Sequence, residues 1–421
     1  MRPAATLDVA SVADDQPIRA FQVMVAVLCG LVAFLDGFDA QAMGYVAPAL
    51  TADLHIARPL LGSVISSGLV GMAVGALVFG PLADRFGRKP ILVASAVTFG
   101  VGSLLTSLAG SIEGLSAWRV LTGLGLGGAL PNAIALTAEY VPARVRSTAV
   151  TGMMCGFSLG AAFGGVIAAS LIPHFGWRAV FVVGGTFPLA IGLMSALWLP
   201  ESTAFASARQ EAADTRFPVA GLFEERYAFG TVVIWIIYFM SLLDLYFMNS
   251  WLPTILTDAG ISSRTAILVT TLFQFGGTAG ALLLGQILDR RLSFLVLTVC
   301  YVFAAGSIVL TGEAGRSVAL LALTVFCAGI GVIGGQNAAH ALSSAFYRTR
   351  VRATGVGWAL GVGRVGSIVG PMVGGIILAR AGGAHDVFWI AAMPAIVAAA
   401  AAAALAASGR GVLLPSHTTE P

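Results

Sequence analysis

The feature that most constrains this chain is a series of twelve long apolar runs. A helix of about 20 apolar residues crosses a bilayer, and lipid tolerates only helices and closed barrels as spanning structures. The composition agrees, because 57% of the residues are hydrophobic and only 10% are charged. The sequence therefore predicts an all-α polytopic membrane protein. Its predicted transmembrane spans are 22–48, 60–83, 90–110, 115–139, 147–172, 179–199, 228–252, 265–288, 292–311, 317–345, 353–379 and 386–407.

A more polar stretch divides the twelve spans into two sets of six. It separates a predicted N-terminal six-helix bundle, 21–199, from a C-terminal one, 228–407. The stretch itself, 200–227, is predicted to be a cytoplasmic loop between the domains. The first 20 residues and residues 408–421 are predicted to be cytoplasmic tails.

The two halves repeat each other at a shift of 205 or 206 residues. Matches of this kind on several pairs of elements indicate an internal duplication. Parallel repeats of this kind are related by an axis along the membrane normal and bind substrate at their interface. The sequence therefore predicts two pseudo-symmetric bundles with a central site. The matched pairs include Asp39 with Asp244, Pro48 with Pro253, Gly80 with Gly285, Asp84 with Asp289, Gly160 with Gly366, and Gly164 with Gly370.

Several polar positions break the repeat. An asymmetric ligand requires such differences of a symmetric frame, although drift at unimportant positions would produce the same pattern. The unmatched pairs are Arg119 with Val325, Arg364 with Ser158, Asp36 with Ser241, Gln336 with Leu130, and His340 with Ile134.

The distribution of basic residues predicts the orientation. Most of the 23 Lys and Arg residues fall in the loops on the side that also holds both termini. Cytoplasmic loops carry this excess in membrane proteins. Both termini are therefore predicted to be cytoplasmic, in a multi-pass protein of the cell inner (plasma) membrane.

Two aspartates in the first span are the strongest chemical signal. A carboxylate near the bilayer centre costs about 2.5–3.5 kcal/mol, so Asp36 and Asp39 imply a partner, a water-filled cavity or protonation. Their i, i+3 spacing places them on one helical face. They are predicted to be proton-coupling groups, with Asp39 favoured because its repeat counterpart, Asp244, is also acidic. The alternative is a purely structural polar network.

The segment between spans two and three reads Gly80-Pro-Leu-Ala-Asp-Arg-Phe-Gly-Arg-Lys89. It resembles the G-x-L-A-D-R-x-G-R-K loop of the major facilitator superfamily, and a weaker echo follows at 285–291. The resemblance implies the major facilitator fold and a gating role for this loop in alternating access. The residues predicted to form the gate are Asp84, Arg85, Arg88 and Glu139.

A second motif narrows the resemblance. The tetrad Asp36-Gly-Phe-Asp39, followed by Gln41 and Gly44, is similar to the first span of the aromatic acid:proton symporter branch. Sialic-acid and other organic-acid carriers share the tetrad. The branch implies import of benzoate-like anions such as 4-hydroxybenzoate. The resemblance continues through Arg119, Pro131-Asn132, Gly335-Gln336-Asn337, and Trp358 with Gly363-Arg364.

The substrate carboxylate is predicted to bind Arg364, with Arg119 as the second candidate. A guanidinium offers a planar fork that a carboxylate accepts bidentately. The alternative for Arg364 is a permanent ion pair that joins the first and eleventh spans. The remaining residues predicted to bind substrate are Gln336, Trp358, Asn132 and Phe38.

Other classes of function find little support in the sequence. It lacks a G-x-x-x-x-G-K-[ST] phosphate loop and catalytic motifs, so neither ATP nor an enzyme activity is predicted. The four cysteines form no metal motif, and the basic residues form no stripe for nucleic acid. The expected partners are an aromatic carboxylate, protons and the bilayer, with no cofactor and a monomeric chain. The open alternatives are a carrier of another organic anion, a membrane sensor, and a drug exporter.

Overall fold

The computed structural model describes residues 20–199, 222–223, 227–290, 293–347 and 349–408. Within these ranges, twelve helices are long and apolar enough to cross a membrane, which confirms the predicted fold class. They are α1 (Ala20–Leu54), α2 (Arg58–Phe86), α3 (Arg88–Ser107), α4 (Ile112–Tyr140), α5 (Ala143–Phe175), α6 (Arg178–Trp198), α7 (Ala228–Asp258), α8 (Ser263–Arg290), α9 (Phe294–Glu313), α10 (Val318–Phe346), α11 (Thr349–Arg380) and α12 (Ala384–Ala407).

Some predicted segments lie outside the described residues. They are residues 1–19 and 409–421 of the two tails and most of the stretch 200–227. The side chains of Asp289 and Arg290, in the echo of the loop motif, also lie outside the description.

Local sequence sets the helix ends in a repeated way. Ser111 precedes α4, and its hydroxyl accepts a hydrogen bond from the Gly114 amide at 3.1 Å. Its repeat counterpart Ser317 precedes α10 and accepts from the Leu320 amide at 3.5 Å. Such N-caps satisfy amides that have no partner within the helix.

The segment 80–89 is more helical than predicted. Helix α2 continues to Phe86 and α3 begins at Arg88, so Gly87 alone separates them. The residues from Ala83 to Phe86 include no helix breaker, and the Gly87 amide donates to the Ala83 carbonyl at 2.9 Å. The motif therefore forms two helix ends at a sharp corner.

The two bundles pack in the same manner. In the N-terminal half α1 packs on α5, α2 on α4, and α3 on α6, and the C-terminal half repeats each contact six helices later. Glycines permit the close approach of α1 and α5, because a Cβ at Gly160 would overlap the Phe34 carbonyl. Its counterpart Gly366 meets the Phe239 carbonyl of α7 in the same way. These glycines therefore lie on packing surfaces between helices.

The halves meet through three pairs of helices, α1 with α7, α2 with α11, and α5 with α8. Where α1 crosses α7, a Cβ at Gly44 would overlap the backbone of its repeat counterpart Asn249. Ser66 of α2 donates a hydrogen bond to the Ile368 carbonyl of α11 at 2.6 Å. These contacts lie toward the end of the molecule where α1 ends and α2 begins, so the halves are closed together there.

Large apolar side chains are exposed on the outward surface of both halves. Among them are Leu77, Leu197, Val299 and Leu323, each more than half exposed. In a soluble protein such exposure is unfavourable, whereas a bilayer provides the apolar surroundings. The exposed surface therefore suits contact with lipid.

Candidate functional site

A buried ion pair joins α1 to α4. Arg119 donates from Nη1 and Nη2 to the two oxygens of Asp39, both at 2.8 Å. Both side chains are almost entirely buried, and the Arg119 guanidinium also lies 5.8 Å from the centre of the Phe181 ring. The bidentate geometry satisfies both carboxylate oxygens. The pair therefore gives the N-terminal half a neutral charge balance at this depth.

Asp36, one turn before Asp39, has a different environment. Its two oxygens are buried and have no hydrogen-bond partner among the described residues. Its electrostatic neighbours are Arg364 of α11 and Asp39. A buried carboxylate without hydrogen bonds is unfavourable, so this position requires a proton, water or a cation.

A small cavity lies beside the two aspartates, between the halves. The N-terminal half contributes Asp36, Asp39 and Arg119, and the C-terminal half contributes Tyr246 and Ser250. Its volume of about 40 Å³ is room for a few water molecules.

Arg364 lies at the edge of this cavity. Its Nη1 contacts the Met72 sulfur at 3.4 Å, and Met72 lines the cavity. No carboxylate of the described residues forms an ion pair with it, although it interacts electrostatically with Asp36 and His340. A permanent ion pair with the first span is therefore not formed in this state.

A polar network on α10 lies near Arg364. The Gln336 amide nitrogen is 3.1 Å from His340 Nε2, and the Tyr238 hydroxyl is 3.0 Å from His340 Nδ1. Tyr238 also contacts the Ser343 hydroxyl at 2.7 Å. The Gln336 carbonyl oxygen is buried without a partner. His340 is thus a hydrogen-bonded core histidine, and Gln336 keeps one free acceptor.

The other residues predicted to bind substrate lie farther from the cavity. The Phe38 ring is buried beside Gly164 and Gly184, within the N-terminal bundle. The Asn132 amide donates to the Gly128 carbonyl at 2.7 Å in its own helix. Trp358 is 45% exposed and stacks on Trp235 with ring centres 5.9 Å apart. Substrate contacts for these three residues stay predictions.

The predicted gate residues are partly brought together. Arg88 at the start of α3 forms an ion pair with Glu139 at the end of α4. The Arg85 guanidinium lies 5.3 Å from the centre of the Phe86 ring. Asp84 is exposed and forms no ion pair with a described residue. Arg88 and Glu139 therefore connect α3 to α4 within one bundle.

Sequence reasoning missed an ion pair at the opposite end. Arg58 at the start of α2 pairs with Asp258 at the end of α7, through two hydrogen bonds of which one measures 2.8 Å. The repeat counterpart of Asp258 is Asp53, which accepts from Trp177 at 2.9 Å and Arg178 at 2.7 Å inside its own half. The acidic match at a shift of 205 was the available signal. Only the fold shows that one of the two pairs crosses between the halves.

Comparisons with known proteins agree with this architecture. The sequence model of the Major Facilitator Superfamily matches residues 29–359 and 234–417. A gallate transporter of Pseudomonas putida is 42% identical, with 94% of each chain covered. The 4-hydroxybenzoate transporter PcaK of the same species is 40% identical, with 93% of this chain and 94% of the relative covered.

Solved structures show the same fold at low identity. A bacterial homologue of the human lysosomal transporter Spinster, inward-facing and occupied, superposes with a TM-score of 0.79 at 18% identity. The alignment covers 95% of this chain and 100% of that one. A D-xylose–proton symporter superposes with a TM-score of 0.71 at 19% identity, covering 90% and 97%.

Two repeated six-helix bundles around a central charged cavity define a polytopic membrane transporter and not an enzyme. The identity and coverage of its relatives then settle the family. The chain belongs to the major facilitator superfamily, and its relatives include the aromatic acid transporters that the first-span motif predicts.

Proposed function

We propose that this protein imports an aromatic carboxylate of the hydroxybenzoate type by proton symport, through alternating access. The observation that carries the proposal is Arg364, an interior cation beside the cavity with no carboxylate partner among the described residues. The names of the relatives, which include gallate and 4-hydroxybenzoate transporters, support an aromatic acid as the substrate.

In this proposal Arg364 binds the substrate carboxylate. Asp36 is its electrostatic neighbour and has no other partner, so an empty site leaves the two side chains to balance each other. When the substrate carboxylate binds Arg364, Asp36 loses the attraction of that cation. The charged form of Asp36 then becomes less favourable. Substrate binding then promotes proton binding, and linkage requires the reverse effect as well.

Asp39 is the favoured carrier of this proton, because its repeat counterpart Asp244 is also acidic. In the present state Arg119 holds it as a bidentate carboxylate. A proton on Asp39 would weaken that pair and free Arg119 for a new anion. Arg119 is therefore the second candidate ligand for the substrate carboxylate, in a different step of the cycle.

The ring of the substrate is proposed to contact the other groups around the cavity. Tyr246 and Phe157 line it, and both offer aromatic surface for stacking. The free carbonyl oxygen of Gln336 suits a ring hydroxyl, which donates a hydrogen bond. Trp358, Asn132 and Phe38 complete the proposed set, although contact with the ring requires a state that brings them to the cavity.

Most Lys and Arg residues lie in the loops on the side of the membrane that holds both termini. This distribution supports a protein of the inner (plasma) membrane with both termini in the cytoplasm. The end closed by Arg58 and Asp258 is then the outer face. The Arg88–Glu139 pair lies at the cytoplasmic face, where rearrangement would accompany closure. We propose that a monomer completes this cycle with the proton gradient as its energy source, without ATP or a cofactor.

Uptake by the purified protein in liposomes tests this function. Labelled benzoate, 4-hydroxybenzoate and gallate are supplied with an inward proton gradient, with a sodium gradient, or with a protonophore. Accumulation of the aromatic acids should require the proton gradient and collapse with the protonophore. Uptake driven by sodium would contradict proton coupling, and preference for a sialate or dicarboxylate competitor would favour another organic anion.

A further inference from the structure

Asp244 is a second buried acid in the interior, in the middle of α7. It is 1% exposed, and its Oδ1 has no hydrogen-bond partner among the described residues. Its repeat counterpart is Asp39, so pseudo-symmetry places it at the same depth across the axis between the halves. The transport steps described above do not use it.

The surroundings of Asp244 contain hydroxyl groups. Tyr301 of α9 lies close enough to interact with both Asp244 and Ser241, which is one turn away on α7. The hydroxyls of Ser241 and Tyr301 are themselves buried and form no hydrogen bond with the described residues. Val325, the counterpart of Arg119, is fully buried and supplies no cation. Asp39 therefore has a counter-ion, whereas Asp244 has none among the described residues.

No charged group on the neighbouring helices compensates Asp244. Among the described residues, no ion pair includes Asp244. On α11, which packs against α7, Arg364 interacts with Asp36 and His340 instead. Tyr301 interacts electrostatically with Asp244, and also with Tyr238 and Cys300.

The two acids of α1 interact with groups other than Asp244. Asp39 pairs with Arg119, and Asp36 has Arg364 and Asp39 as its electrostatic neighbours. On α10, His340 is hydrogen-bonded to Tyr238 and lies beside Gln336. Helices α8 and α12 also pack against α7. No described residue of these two helices forms an ion pair with Asp244.

We propose that Asp244 is a proton-binding site of the C-terminal half and carries one proton in each transport cycle, in addition to the proton coupled through α1. The inference rests on the proposed proton symport. A neutral carboxyl both donates and accepts hydrogen bonds, which suits neighbours that are hydroxyls. Helix α7 crosses α1 at Gly44, so separation of the halves changes its surroundings. The proton enters from water on one side and leaves to water on the other.

Charge movement gives a direct test. A monovalent aromatic acid imported with two protons carries one net positive charge, whereas import with one proton is electroneutral. In liposomes, 4-hydroxybenzoate uptake by the wild type should therefore accelerate when the interior is made negative. The Asp244→Asn variant should carry one proton fewer per substrate and lose this voltage dependence. Thr254→Val, another buried polar position on α7, is the matched control and should keep both.

The outcomes separate this inference from the proposed function. If the wild type moves no protons with substrate, proton symport and the role of Asp244 fail together. If the wild type is coupled and Asp244→Asn keeps its proton number and voltage dependence, only the role of Asp244 fails, and the residue is a permanently neutral structural acid.

An infrared measurement covers the case in which Asp244→Asn does not fold. The carbonyl stretching band of a protonated carboxylic acid is followed in the Asp36→Asn/Asp39→Asn double variant, in which neither acid of α1 contributes to the band. A protonated band should remain, and it should change when pH is raised or 4-hydroxybenzoate is added. A band that is missing, or that responds to neither change, would overturn the inference.

Discussion

The N-terminal and C-terminal halves have the same helices, the same packing partners and different interior charges. At one pair of matched positions the N-terminal half holds Asp39 with Arg119, whereas the C-terminal half holds Asp244 opposite Val325. At another pair, Arg364 replaces a residue that is Ser158 in the N-terminal half. Duplication therefore supplied the frame, and the proposed chemistry depends on the charges that differ around matched positions.

The two halves also differ in their ion pairs at the rim, the end of the molecule where α1 ends and α2 begins. Asp53 and Asp258 are counterparts, and each accepts hydrogen bonds from an arginine. Arg178 binds Asp53 inside one half, while Arg58 joins Asp258 across the two halves. Only the second pair has to break when that end opens. Equal residues at equivalent positions thus have unequal consequences for the transport cycle.

The largest expected effect follows from neutralising Asp39, whose repeat counterpart in the C-terminal half is also an aspartate. Asp39→Asn should abolish uphill accumulation of aromatic acid, because the variant has lost the proton-coupling group, while exchange of substrate down its gradient continues. Accumulation and exchange are measured with the same liposomes. Thr254→Val serves as the control. Unchanged accumulation would end the assignment and transfer it to Asp36.

Replacing Arg119 by its counterpart tests the charge balance of the N-terminal half. Arg119→Val leaves Asp39 buried without a cation, and the loss of one partner of a buried pair costs about 3–5 kcal/mol of stability. Asp244→Asn breaks no ion pair and should destabilise far less. Thermal unfolding in detergent compares the two. Equal stability of the two variants would show that the Asp39–Arg119 pair contributes little to folding.

Arg364→Lys tests the cation that has no counterpart. Lysine keeps the charge and loses the planar fork, so affinity for benzoates should fall by roughly ten- to a hundredfold, about 1.4–2.8 kcal/mol. Affinity for neutral ring analogues should change little. Binding is measured by calorimetry, with Arg380→Lys at the exposed end of the same helix as the control. Normal benzoate affinity would make Arg119 the better candidate for the carboxylate ligand.

The smallest effect is expected at the rim. Asp258→Asn removes an exposed ion pair worth about 0.2–1 kcal/mol, which shifts the balance between open and closed forms at most about fivefold. The counterpart Asp53→Asn should leave that balance unchanged, because its pair lies within one half. Distances between spin labels on the two halves at that end report the populations. Equal responses of the two variants would show that the Arg58–Asp258 pair does not hold that end closed.

The sequence predicted most of the fold because a bilayer leaves few solutions. Apolar runs of sufficient length have to become helices, and the repeat at 205–206 residues has to become two similar bundles. Within the candidate site, sequence placed Asp36 and Asp39 together because i, i+3 spacing on a helix fixes that geometry.

The tertiary structure decided which charges meet. Arg119 is 80 residues from Asp39, and nothing in this spacing predicts that the two form an ion pair. Nor does the sequence predict that Arg364 interacts with Asp36 without such a pair. The same holds for Arg58 and Asp258, 200 residues apart. Helix formation is a local property, set by hydrogen bonds within four residues and by transfer into lipid. Charge pairing depends on how separate helices rotate and approach, so only the assembled bundles determine it.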